Sequence, residues 1–314
     1  MRAAACLLVA ALACAAGGAH AGARPAWAVN GRTASVPVRE ASGELARMQV
    51  TVFLPPGRWP FPVMLFSHGR DPSAAARSEL AVGVSQAQVL FWLARGVAVV
   101  SPVRPGYGAS AGADLEGMGV RVDDAGRCLG HADFRKATDA AVRSIETTLQ
   151  WLRGQRWADA DEVVLVGQSA GGLAALAAGA RGLPGVVGVV NFAGGAGGNP
   201  ELAPGSSCAP GQIASLFAGY GRSTTVPSLW MYALNDQYWG PSMPREWHAA
   251  FARGGSPSTF VQTPALPDGD GHGLGSHAPA LWASAVDTFL AQLGAPWDAV
   301  STPRPVLRLD ATDY

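Results

Sequence analysis

The chain has 314 residues, close to half of them apolar, and its 23 Lys and Arg side chains are balanced by 23 Asp and Glu. That length suits one large domain with a sizeable core, and the absence of a repeat excludes a solenoid. Balanced charge, with no basic run longer than a pair, excludes a nucleic-acid footprint or an anionic-membrane patch, so small uncharged partners are expected.

In chain order, Arg2, the apolar stretch Ala3 to Ala16 and Ala19-His20-Ala21 form the charged, apolar and small-residue parts of a secretory signal. Cleavage is expected after Ala21, with delivery to the periplasm or beyond. The stretch is too short for a stable membrane span. Residues 22–30 read as a linker. "MQVTVFLPPG" alternates and turns, as an early antiparallel edge strand does. "FPVMLFSHG" is an apolar strand, "VLFWLARG" has helical spacing and "VAVVSPV" is again a buried strand. The run from Asp133 to Gln155 is a long amphipathic helix with Asp133 as its cap. After it come a strand at Val163–Val166, an alanine-rich helix at Leu173–Ala180, and apolar strands in "GVVGVVNF" and "VPSLWMYAL". A helix in "MPREWHAAFARGG", the strand "STFVQT" and a closing helix in "APALWASAVDTFLAQLG" complete the order. Near-continuous apolar strands alternating with helices predict an α/β fold: a doubly wound, mostly parallel sheet with helices on both faces. Residues 297–314 read as a tail.

Cys6 and Cys14 would leave with the signal, so the mature chain keeps Cys128 and Cys208. In an oxidising compartment two cysteines favour one disulfide.

Three stretches fit a Gly-x-nucleophile-x-Gly template: around Ser110, Cys128 and Ser169. A nucleophile elbow needs a buried strand before it and a helix directly after it. Only Ser169, in "VVLVGQSAGG", has both; Ser110 and Cys128 read as loop residues. A serine hydroxyl is a weak nucleophile and needs a base, an acid to orient that base, and oxyanion donors. His272, flanked by glycines in "DGDGHGLGSH", fits the base better than His277, which sits where the closing helix begins. His131 and His248 read as ordinary surface or packed histidines. Asp236 follows a buried strand, where open α/β sheets gather their sites; Asp268 and Asp270 are rivals placed close before His272. The backbone amides of Ala170, after the nucleophile, and Arg70, in "LFSHGRD", are the expected oxyanion donors, with His68 structural or lining the pocket. The segment Arg104–His131, with Tyr107, Tyr238 and Trp239, is read as the rim that selects substrate, core packing being an equal reading for Trp239. "NFAGGAGGNP" lacks the spacing and lysine of a phosphate loop and is expected to border the site.

Taken together, "FSHG", "RPGYGAS", "GQSAGG", "NFAGG", "YALNDQYWG" and "DGHGL" resemble the α/β-hydrolase superfamily, and most closely its secreted dienelactone hydrolase-like members, over roughly Val50 to Leu290. The catalytic domain is expected to span 31–296, and the resemblance implies a serine esterase-type fold and a Ser169, Asp236, His272 triad. True dienelactone hydrolases carry cysteine where Ser169 stands, which favours ordinary ester hydrolysis through an acyl-enzyme. No metal or cofactor is implied. The alternatives are a serine peptidase of prolyl oligopeptidase-like type, though no propeller domain is present, and a non-catalytic binding protein on the same fold.

Overall fold

The computed structural model of the protein describes residues 31–40 and 43–300. The expected signal segment and linker, and residues 301–314, lie outside the described residues.

Eight strands form one sheet: β1 (Arg32–Arg39), β2 (Leu45–Phe53), β3 (Phe61–Ser67), β4 (Ala98–Val103), β5 (Ala158–Gln168), β6 (Val186–Phe192), β7 (Ser228–Ala233) and β8 (Ser258–Thr263). Their order is β1-β2-β4-β3-β5-β6-β7-β8. β2 pairs antiparallel with both β1 and β4, while β3 through β8 pair in parallel, so β2 alone runs against the others. The alternating "MQVTVF" stretch is thus antiparallel, as expected, but it is not the edge. β1 covers it, in a register that puts Val36 opposite Met48.

Among the described residues the longer helices are α1 (Gln86–Leu93), α2 (Phe134–Leu152), α3 (Ala170–Gly179), α4 (Pro210–Ser223) and α5 (Met243–Ala252) between strands, and α6 (Pro279–Gln292) after β8. α2 begins where expected, with Asp133 accepting a hydrogen bond from the Lys136 amide at 3.2 Å. Successive residues of the central strands are buried on opposite faces, which is why those strands read as continuous apolar runs. Val63, Leu65, Val163 and Leu165 join one core with Leu173, Leu176, Phe217, Trp247 and Phe251 from α3, α4 and α5. Met64, Phe66, Val164 and Val166, of opposite parity, are equally buried. On that other face Phe91 of α1 meets Trp282 of α6 edge to face at 4.7 Å.

Three further details depart from the sequence reading. α4 was not legible, because "PGQIASLFAGYGRS" opens on Pro-Gly and carries two further glycines, all weak helix formers. Cys128 begins a short strand, Cys128–Gly130, paired antiparallel with Val120–Val122. The tail does not begin at 297: Trp297 opens a short helix, is fully buried, and its indole nitrogen donates to Glu162 Oε2 at 2.8 Å.

Candidate active site

Ser169 stands between the last residue of β5 and the first of α3. Its backbone is held at φ 57° and ψ −127°, a setting that costs a residue with a side chain about 1–3 kcal/mol. The glycines around it let strand and helix come into backbone contact. A Cβ on Gly167 would collide with the Gly171 carbonyl, one on Gly171 with the Ser67 carbonyl, and one on Gly172 with the Asn191 side-chain oxygen. The turn is locked by the Ser169 amide donating to Phe192 O at 3.0 Å and the Ser169 carbonyl accepting from Gly172 and Leu173 at 2.9 and 3.1 Å. The rival Ser110 is buried; its hydroxyl donates to Val103 O at 2.5 Å and accepts from the Gln49 amide at 2.9 Å, tying its loop to β2 and β4.

Asp236, 2% exposed, lies just past β7. Its Oδ1 accepts from the Tyr238 and Trp239 amides at 2.9 and 3.1 Å, and both carboxylate oxygens lie 3.2 Å from His272 Nδ1. A proton on Nδ1, donated to Asp236, leaves the lone pair on Nε2. His272 sits in a one-turn 3₁₀ helix, Gly271–Gly273, capped by Asp270, whose Oδ1 accepts from the His272 and Gln237 amides at 2.9 and 2.8 Å. That cap occupies the rival acid. His277, the rival base, is exposed at the end of the following turn.

Side chains that sequence reading did not single out fasten these loops together. Asn235 donates to Leu266 O and Gly269 O, each at 3.1 Å, joining the aspartate loop to the histidine loop. Gln168 donates to His272 O at 3.0 Å, joining the histidine loop to the end of β5. The imidazole also packs on aromatic rings: Tyr238 stacks on it at 4.0 Å between centroids, and Trp239 meets it edge-on at 5.5 Å.

Ser169 and His272 both line a cavity of about 300 Å³. Among the described residues, Ser169 Oγ has no hydrogen-bond partner, an open arrangement common before substrate binds. Ser169 also borders a wider cleft of about 890 Å³, with Arg70, Ala170, Tyr238 and Trp239. The hairpin of Val120–Val122 and Cys128–Gly130 and the glycine-rich Gly195–Gly198 stretch form its walls. Cys128 and Cys208 are joined by a disulfide, Cα to Cα 5.6 Å, which pins the hairpin next to the start of α4. Gly69, two residues past β3, lies close to the serine: a Cβ there would be 3.4 Å from Ser169 Cβ. The amides of Arg70 and Ala170 have no acceptor among the described residues.

Under this loop lies a charge cluster that the sequence did not disclose. Arg70 makes a two-pronged bond to Asp114, at 2.6 and 2.7 Å, and reaches Tyr107 Oη at 3.2 Å. Arg104 pairs with Glu116 at 2.5 and 3.0 Å. Tyr107 donates to Glu116 at 3.1 Å and is 2% exposed, so it forms the floor of the smaller cavity, with its phenol pushed up to about 12 chiefly by burial. His68 is buried too; burial first, then the Arg104 charge, hold its pKa well below 6.5. The only sequence signal for this cluster was an arginine directly after an apolar strand in "VVSPVRPG".

Among solved structures, an esterase of Pyrococcus furiosus matches with a TM-score of 0.54 at 12% identity, over 84% of this chain and 92% of that one. Est1E from Butyrivibrio proteoclasticus matches with a TM-score of 0.54 at 14% identity, over 84% and 99%. A puromycin hydrolase matches with a TM-score of 0.54 at 14% identity, over 85% of this chain and 40% of that one. At such identities the likeness speaks for the fold, which is that of the α/β-hydrolases. No curated protein matches the sequence. Residues 43–203, just over half of the chain, match the family described as X-Pro dipeptidyl-peptidase (S15 family). The superfamily expected from the sequence is thereby met, although the match does not return its narrower dienelactone hydrolase-like branch. From the strained serine turn, the sheet order and this match, the protein is a serine-type α/β-hydrolase, and it belongs to the X-Pro dipeptidyl-peptidase (S15) family.

Proposed function

We propose that the protein is an exported serine hydrolase that cleaves carboxylic esters through an acyl-enzyme. His272 Nε2 takes the proton of Ser169 Oγ as that oxygen attacks the ester carbonyl, and then gives it to the leaving alcohol. Asp236 holds the tautomer and stabilises the imidazolium. The Ala170 and Arg70 amides receive the oxyanion, and water repeats the sequence on the acyl-enzyme. The observation that carries the reading is the Asp236–His272 pair at 3.2 Å beside a strained serine with two unbonded amides at hand. Ester specificity is supported by the dienelactone hydrolase-like motifs and by the apolar part of the wide cleft's lining, Met118, Val120, Val122 and Leu129, which would pack against an acyl or aryl group. The signal-type N-terminus and the Cys128–Cys208 disulfide support export, since such bonds persist in oxidising compartments. Among the described residues no helix is long and apolar enough to cross a membrane.

A second reading is release of X-Pro dipeptides. It is favoured by the family description and by Asp71 and Glu201 on the same cleft, carboxylates that a free amino terminus would need.

The test is fluorophosphonate labelling of the purified protein, mapped by peptide mass spectrometry, with p-nitrophenyl esters and Gly-Pro-p-nitroanilide as substrates. Labelling at Ser169, its loss in His272→Ala, and ester turnover at least tenfold faster than anilide turnover are expected. Faster anilide cleavage would replace the ester reading with the dipeptidase one, and no labelling would refute both.

A further inference from the structure

The Arg70 N–H belongs to the same peptide group as the Gly69 carbonyl, so whatever grips that oxygen also aims the N–H at the opposite end. Gly69 O accepts two hydrogen bonds, from His68 Nδ1 at 2.7 Å and from Arg104 Nη2 at 3.1 Å. Arg104 Nη1 donates to the preceding carbonyl, His68 O, at 2.6 Å, and to Ser67 Oγ at 3.3 Å. One guanidinium therefore holds two consecutive carbonyls where the chain leaves β3. The guanidinium is itself fixed by Glu116, through Nε to Oε1 at 2.5 Å and Nη2 to Oε2 at 3.0 Å. His68 is fastened on its far side, where Nε2 accepts the Arg104 amide at 3.2 Å. Its ring lies against Tyr107, 4.7 Å between centroids.

Arg104 and Glu116 are almost wholly buried. A buried ion pair is a weak source of stability, because desolvation offsets most of the attraction. Its geometry is more informative: every hydrogen bond donated by the Arg104 guanidinium ends on Glu116, on the Ser67 hydroxyl, or on the His68 and Gly69 carbonyls. Donors on a carbonyl also polarise the peptide group and strengthen the N–H at its other end as a donor.

We propose that Arg104, held by Glu116, and His68 are positioning residues that clamp the Gly69–Arg70 peptide group so that the Arg70 N–H points at, and is polarised toward, the oxyanion. This rests on the serine-hydrolase reading. It makes the buried cluster part of transition-state stabilisation, although none of its side chains touches substrate.

The test compares Arg104→Lys, His68→Leu and His68→Asn with the natural protein in kcat and KM for a short p-nitrophenyl ester, in Ki for a trifluoromethyl ketone, and in thermal midpoint. Deleting an oxyanion donor costs about 10²–10³ in kcat, and a misaimed donor costs less, so Arg104→Lys and His68→Leu are expected to lose roughly 10–100-fold. KM should stay within about threefold, because the interaction is made only in the transition state. Ki for the ketone, which places an oxyanion in the same position, should rise in step with the loss of kcat. The Asn side-chain amide can present a donor near the position of Nδ1, so His68→Asn should recover most of what His68→Leu loses. Folded variants with unchanged kcat, a Ki that stays put while kcat falls, or an Asn variant no better than Leu would each overturn the clamp. If Arg104→Lys does not fold, the His68 pair decides alone. Failure of the natural protein to take a fluorophosphonate at Ser169 would instead refute the underlying hydrolase reading.

Discussion

At position 169 the backbone occupies φ 57° and ψ −127°, which glycine adopts freely and serine does not. The strain is released if the side chain is removed. Ser169→Gly is therefore expected to be more stable than Ser169→Ala by about 1 kcal/mol, the relief of strain exceeding the added entropy of the unfolded chain, while both variants lose turnover by at least about 10³. Urea midpoints decide it; a glycine variant less stable than the alanine one would mean that the surrounding contacts carry no strain. Tyr238 offers a second test at this scale. Its ring lies flat on His272 at 4.0 Å, so Tyr238→Ala should lower kcat about tenfold by freeing the imidazole. Tyr238→Phe, which keeps the ring face, should lose less. Equal losses in the two variants would assign the effect to the hydroxyl.

Among the elements, the hairpin of Val120–Val122 and Cys128–Gly130 is too short to hold its position alone. It is tied to the rest by Cys128–Cys208, which spans 80 residues of chain. On the loop-entropy account, opening that bond costs about 4 kcal/mol of stability. Because the hairpin is a wall of the wide cleft, Cys128→Ser/Cys208→Ser should also raise KM for bulky esters more than for acetate. Denaturant unfolding and an ester chain-length series measure the two effects separately. A stability loss with an unchanged chain-length preference would leave the hairpin a structural brace only. The hairpin also marks a limit of legibility. Its glycine-rich segment has no apolar period to read, whereas "STFVQT", rich in β-branched and aromatic residues, is a strand at Ser258–Thr263, as expected.

Over the whole molecule, buried charge sets the response to pH. His68 has its pKa well below 6.5 in the folded protein, through burial and then Arg104. The unfolded chain therefore binds a proton that the folded one refuses. The contribution is complete above about 6.5 and is lost as pH falls from there toward the folded value, at up to about 1.4 kcal/mol per pH unit for one such group. His248, lowered by burial, acts in the same direction. Asp114, which Arg70 and its neighbours hold below 3.8 despite burial, adds a loss only in more acid solution. The thermal midpoint should fall between pH 7 and pH 5, and less in His68→Asn; equal falls would show that His68 is not the group responsible. The sequence by itself determined the α/β alternation, the central strands and Ser169 as the turn serine, since each is written in local chemistry: β-branched runs, helical spacing, and glycines on either side of one serine. It also narrowed the choice to Asp236 and His272, because one follows a legible strand and the other stands between glycines in the loop ahead of the closing helix. Only the tertiary structure decided that Asp270 caps a turn, that Ser110 braces β2, that β1 takes the edge, and that Arg104, Glu116 and His68 meet beneath the Gly69–Arg70 peptide. Those roles depend on partners distant in the chain, which spacing does not reveal because burial and hydrogen bonding are set by how the layers close on one another.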